Sequence, residues 1–212
     1  MRSAFKLTKI LTFIIFTLPP INPYAKVFAE PYEKKLTQMD SSKCLLVRDI
    51  NKRVALKLKK EKNLCSIGSG AEMMYEIKLL GLSFNYYDEI DIAKGRELLV
   101  FAASEYLDAI NSNVELRPYL DHWPFTPNDI EIDIGILKST GKEVDLEKIS
   151  FLSAEENMLM YYSKKKDLQR RTPLLTETYQ QAVQILEETT KQAPPTPVTK
   201  TNLDISLQKA AL

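Results

Sequence analysis

Ile130-Glu131-Ile132-Asp133-Ile134 alternates strictly between apolar and acidic side chains. Successive side chains on a strand point to opposite faces, so this segment has one apolar face and one wet face. A sheet solvated on one side is common for antiparallel strands and rare for all-parallel ones. Downstream, Lys138–Lys142 (KSTGK) reads as a turn. Ile149–Ser153, then Glu155-Glu156-Asn157, then Leu159–Ser163 read as strand, tight turn and strand. Together these segments predict a three-stranded antiparallel meander.

Working outward, Leu64–Ala71 (LCSIGSGA) suggests a strand and a turn, and Met74–Tyr87 (MYEIKLLGLSFNYY) reads mainly as a strand. A helix over Met73–Leu80 is the alternative. Residues 32–62 predict a long helix, with Met39, Cys44, Val47, Ile50, Val54 and Leu58 tracing one apolar face. Lys52, Arg53, Lys57, Lys59, Lys60 and Lys62 load its C-terminal end, where cations complement the helix dipole. Asp91 is placed to N-cap a second helix over Ile92–Ser112, striped by Leu99, Ala102 or Ala103, Tyr106 and Ile110. Thr176–Thr189 closes the domain as an amphipathic helix through Tyr179, Val183 and Leu186. The expected fold is therefore α+β over residues 31–190, an antiparallel sheet packed by two long helices and a closing helix.

The ends read differently. Arg2, Lys6 and Lys9 precede the apolar run Ile10–Leu18, and Val27-Phe28-Ala29 supplies small residues before a cleavage point. That order describes a secretory signal peptide over residues 1–29. The run is too short for a bilayer core, and no transmembrane span is expected after cleavage. Removing the four basic residues of this leader from the total of 29 leaves 25 against 28 acidic ones, a net charge of −3. Such a balance argues against nucleic acid as a partner. Pro194, Pro195 and Pro197 mark residues 191–212 as a flexible tail, with Leu203–Leu212 a short amphipathic helix suited to docking. Cys44 and Cys65, some 30 Å apart if the first helix joins them, are expected to be unpaired.

Few residues suggest chemistry. A single histidine excludes multi-histidine metal sites. Gly68-Ser69-Gly70 lacks the third glycine of a dinucleotide fingerprint and the Gly-Lys end of a P-loop, so it reads as a turn. Asp129, Glu131 and Asp133 share a strand face by period, as a solvated surface facing lysines such as Lys148 or Lys164. The competing reading is a Ca²⁺ or acid–base group. Asp121-His122 pairs a carboxylate with the sole histidine, without a recognisable nucleophile context. Tyr119, His122, Trp123 and Phe125 stand in a proline-rich connection over Leu116–Asn128 and form the candidate recognition surface, the competing reading being that they seal the edge of the core.

The runs at 73–87, 95–113 and 117–132, above all Arg117–Leu120 and Pro124–Thr126, make residues 50–165 resemble an uncharacterised family of exported proteins from intracellular bacteria. The family pattern has an asparagine–tyrosine pair where this chain has His122-Trp123, and a basic residue at the place of Asp133. The resemblance implies export and a shared fold, and no activity. The expected function is an exported, non-catalytic accessory or protein-interaction protein, periplasmic or secreted, with no cofactor and no metal. The alternative is a cofactor-free, hydrolase-like enzyme using the acidic residues at 129–133.

Overall fold

The computed structural model describes residues 25–165 and 168–192. The readings made for residues 1–24 and for 193–212, which hold most of the leader and the proline-containing tail, lie outside the described residues. The chain divides into two compact units, residues 1–42 and 43–212. The described part of the first is helical from Ala25, within α1 (Ala25–Lys62). The second unit holds the remainder of α1 and every other element.

Those elements are β1 (Cys65–Glu72), β2 (Leu79–Tyr86), α2 (Ile92–Asn111), β3 (Ile130–Ile136), β4 (Ile149–Glu155), β5 (Met158–Lys165), β6 (Leu168–Thr178) and α3 (Tyr179–Gln192). The strands lie side by side in sequence order in one six-stranded sheet, and the fold is α+β. The sheet is mostly antiparallel but mixed. β2 and β3 run parallel, with Leu80 opposite Ile130 and Tyr86 opposite Ile136. Adjacent parallel strands need a long crossover, and α2 supplies it.

The alternation at 130–134 is present nonetheless. Ile130, Ile132, Ile134 and Ile136 are buried, while Glu131 and Asp133 are half-buried. One-sided cover produces it. The helices pack on the side of the sheet that presents Ile132, Leu152 and Tyr161. Gly95 of α2 lies so close there that a Cβ would stand 3.2 Å from both Leu152 and Tyr161. Strand direction does not enter, which is why the pattern could not reveal the parallel pair.

Other local expectations shift. Lys43 is buried and Cys44 exposed, so the inward face of α1 runs Lys43, Val47, Ile50, Val54, Leu58. Both cysteines are free, Cys44 exposed and Cys65 half-buried. The strand expected from Met74 begins only at Leu79. Gly68-Ser69-Gly70 is not a turn but lies within β1, where Gly70 stands opposite Gly81. Thr176–Thr178 is strand, and the helix starts at Tyr179. There Thr178 and Gln181 cap reciprocally: Gln181 N donates to Thr178 Oγ1 at 3.2 Å, and Thr178 N to Gln181 Oε1 at 2.8 Å. Asp91 caps α2 as expected, accepting from Lys94 N at 2.8 Å.

A buried polar cluster ties α2 to the far strands. Arg96 forks onto Glu177, Nε to Oε1 at 2.8 Å and Nη2 to Oε2 at 3.0 Å. The Tyr161 hydroxyl donates to the same Oε1 at 2.6 Å. Burial, with the Glu177 carboxylate beside it, pushes the Tyr161 phenol up, so it remains a donor. Removing one partner leaves the others buried and unpaired. Glu177→Ala is therefore expected to cost about 3–5 kcal/mol, and the joint change Arg96→Met with Glu177→Leu far less. Urea denaturation of the three proteins measures both.

Candidate functional site

The connection from α2 to β3 is an ordered loop, although three prolines interrupt it. Leu116, Leu120 and Phe125 insert into the core as pins. Arg117–Tyr119 forms one 3₁₀ turn. Asn111, the last residue of α2, brackets the loop from below. Its Oδ1 accepts from Phe125 N at 2.7 Å and its Nδ2 donates to Phe125 O at 2.9 Å. A side-chain amide thus pairs with a backbone as a neighbouring strand would.

Asp129 closes the loop. Its Oδ2 accepts from Thr126 N at 2.7 Å, Thr126 Oγ1 at 2.8 Å and His122 Nε2 at 3.1 Å. Asp129 N donates back to Thr126 O at 2.9 Å. Three donors on one oxygen make this carboxylate a structural clamp. It does not join Glu131 and Asp133 on the strand face, contrary to the period-two expectation.

Of the four residues expected to form a recognition surface, Phe125 is core and Tyr119 is partly buried against it. His122 and Trp123 reach solvent. Trp123 is 51 % exposed, yet it is held from two sides. Its indole N–H donates to Asn111 O at 3.3 Å, and the Arg117 guanidinium lies over the ring 4.1 Å from its centroid. The Trp123–Pro124 peptide is cis. His122 faces Asp129 through Nε2 and Asp121 through Nδ1, the latter at 3.5 Å. With a carboxylate at each ring nitrogen, neither is placed to take a proton from a nucleophile.

A second loop joins this one. Ile77 N donates to Tyr119 O at 2.8 Å, and Asp121 N donates to Ile77 O at 2.9 Å. Immediately before Ile77, Met74 and Tyr75 are 78 % and 87 % exposed. The buried Lys43 amine holds their carbonyls at 3.0 and 3.2 Å. Exposed apolar side chains therefore stand on two loops fixed to each other by backbone bonds.

The strand-face acids have different surroundings. Asp133 Oδ1 accepts from Ser153 Oγ at 2.9 Å. Desolvation, then the charges of Asp133 and Glu155, push the Glu131 carboxyl up. The expected lysines turn elsewhere, Lys164 to Glu143 and Lys148 to Glu89. Among the described residues, no group of three or more His, Cys, Asp or Glu side chains is arranged to hold a metal ion. The basic end of α1 is partly engaged by acids of α2, Lys57 with Glu105 and Lys62 with Glu97. No protein-family model, curated protein or solved structure matches the chain.

The residues that sequence reasoning missed are Asn111, Arg117 and Thr126. Thr126-Pro127-Asn128-Asp129 carries the Thr-x-x-Asp spacing at which the acid reaches back to the threonine N–H, and that signal was available. Desolvation by itself would lower the His122 pKa, but the charge and hydrogen bond of Asp129, then Asp121, outweigh it and the net shift is upward. A raised histidine pKa adds stability that is fully present below about 6.5 and lost as pH rises through the folded-state value. His122→Gln should therefore lower the thermal midpoint more at pH 5.5 than at pH 8.5. Asp129→Asn should bring the His122 pKa down, read from the single imidazole signal by NMR.

Proposed function

We propose that this chain is a non-catalytic protein-interaction protein that acts after export, and that the loop carrying His122 and Trp123 is its recognition surface. The observation that carries the reading is the held, half-exposed indole of Trp123. Tryptophan and tyrosine dominate binding energy at interfaces when they enter a partner's pocket. An aromatic side chain already fixed by Arg117 and Asn111 loses little freedom on binding. Tyr75 and Met74 extend the apolar area across the bridge at Ile77 and Leu120. The leader pattern of residues 1–29 supports export to the periplasm or beyond. We also infer kinship with the uncharacterised exported family that Arg117–Leu120 and Pro124–Thr126 resemble. Among the described residues, no helix is long and apolar enough to cross a membrane.

The hydrolase-like alternative rests on one observation, the raised Glu131 carboxyl beside Asp133 and Glu155. Against it, the hollow that Glu131 and Asp133 line opens onto the sheet surface and presents glycines and serines, Gly68, Gly70, Gly81 and Ser83. No Lys, Arg or His is among its lining residues to stabilise a developing oxyanion.

A photo-crosslinking residue placed at Trp123, with one at the exposed Glu143 as control, tests the reading in envelope and secreted fractions. The expected result is one discrete protein adduct from position 123 and none from position 143. No adduct from 123, together with ester or peptide hydrolysis that Glu131→Gln abolishes, would replace this function with the alternative.

A further inference from the structure

The two edges of the sheet differ in kind. An edge strand presents alternate unpaired N–H and C=O groups, and proteins commonly blunt such edges with charge or proline. β6, at one edge, carries Arg171 and Pro173. β1, at the other, pairs with β2 alone and reads CSIGSGAE, with no proline and no charge before Glu72. Every residue from Ser66 to Glu72 is exposed. Its one irregularity falls between Ser66 and Gly68, so Gly68–Glu72 pairs with β2 without a break. One edge is guarded and the other open.

Beside the open edge lies a groove of 490 Å³ between α1 and β1. Ala55, Leu56 and Leu82 line it with apolar surface, and Arg48, Lys52 and Lys59 supply cations. It is unfilled because β1 presents only Ser66, Gly68 and Ser69 there, with Ser69 opposite Leu82. Leu56, on the helix side of the groove, is 63 % exposed. Lys59 is shared with Asn63 and Cys65, and among the described residues Arg48 pairs with Asp49, at 3.9 Å.

We propose that the β1 edge and its basic groove take an extended, acidic peptide segment of another protein by strand addition. Backbone bonds to β1 would supply affinity, and alternate side chains would enter the groove, where apolar and acidic groups meet complementary surface. A second copy fits less well. Antiparallel pairing of two β1 edges about a two-fold axis sets both helix layers on the same side of the joined sheet. Arg48, Lys52 and Lys59 of one copy would then face their counterparts, and like charges so placed repel. This surface is separate from the Trp123 loop and does not depend on it.

Panning a random dodecapeptide phage library against the full chain tests the proposal. Enriched sequences should carry both β-branched and Asp or Glu residues at alternate positions, i, i+2 and i+4, the set that shares one face of a strand and enters the groove. A synthetic copy should slow hydrogen exchange at residues 65–72. The joint change Arg48→Glu and Lys52→Glu should weaken its binding by about tenfold or more, as should Ser69→Trp, each with an unchanged thermal midpoint. Trp123→Ala should leave binding as it was, separating this surface from the loop. The proposal is overturned by an absence of enrichment, by enrichment of basic or helix-forming sequences, or by protection confined to other segments. Binding indifferent to those variants would overturn it too. So would protection of residues 65–72 that rises with protein concentration alone, which would assign the edge to a second copy.

Discussion

The seat of α2 on the sheet constrains everything else in the second unit. At Gly95 the helix backbone approaches Leu152 and Tyr161 closely enough that a side chain would crowd both. One residue on, Arg96 is locked to Glu177, and Tyr161 donates to the same carboxylate. The helix is thus fixed at short range by packing and at longer range by a buried charge pair that reaches β6. Such a pair contributes little net stability beside apolar packing, but it penalises any other placement of the helix. With α2 set, β2 and β3 on either side of it are brought together as parallel neighbours.

The candidate site inherits its order from that seat. Asn111 ends α2 directly beneath the following loop and pairs with both backbone groups of Phe125. The Asn111 carbonyl also receives the Trp123 indole. The other end of the loop is closed by Asp129, which gathers Thr126 and His122 just before β3 begins. A helix end and a strand start, both fixed by the core, therefore span a segment whose prolines exclude regular structure. The loop is held by its termini and by three apolar pins, and its outward side chains are left available.

Much of the fold was legible because periodicity reports burial. β3 and α2 could be placed from Ile130, Ile132 and Ile134 and from Leu99, Tyr106 and Ile110, all of which face the core. Strand direction was not legible, since one-sided cover gives the same alternation to parallel and antiparallel strands. β6 was hidden because an edge strand has little apolar pattern to show, and Arg171, Thr172 and Pro173 break what there is. The site was only half legible. Aromatic type drew attention to Tyr119, His122, Trp123 and Phe125, but type cannot separate Trp123 at the surface from Phe125 in the core. Asp129 was grouped with Glu131 and Asp133 by spacing, whereas hydrogen bonds to Thr126 turn it into the loop.

The central claim is that the exposed indole is fixed before any partner arrives. Nitrogen-15 relaxation of the Trp123 side chain, the only indole in the molecule, measures this directly. The account predicts an order parameter near that of rigid backbone, about 0.85, at the indole nitrogen. A value below about 0.6 would show the ring moving freely on the fast timescale and contradict it.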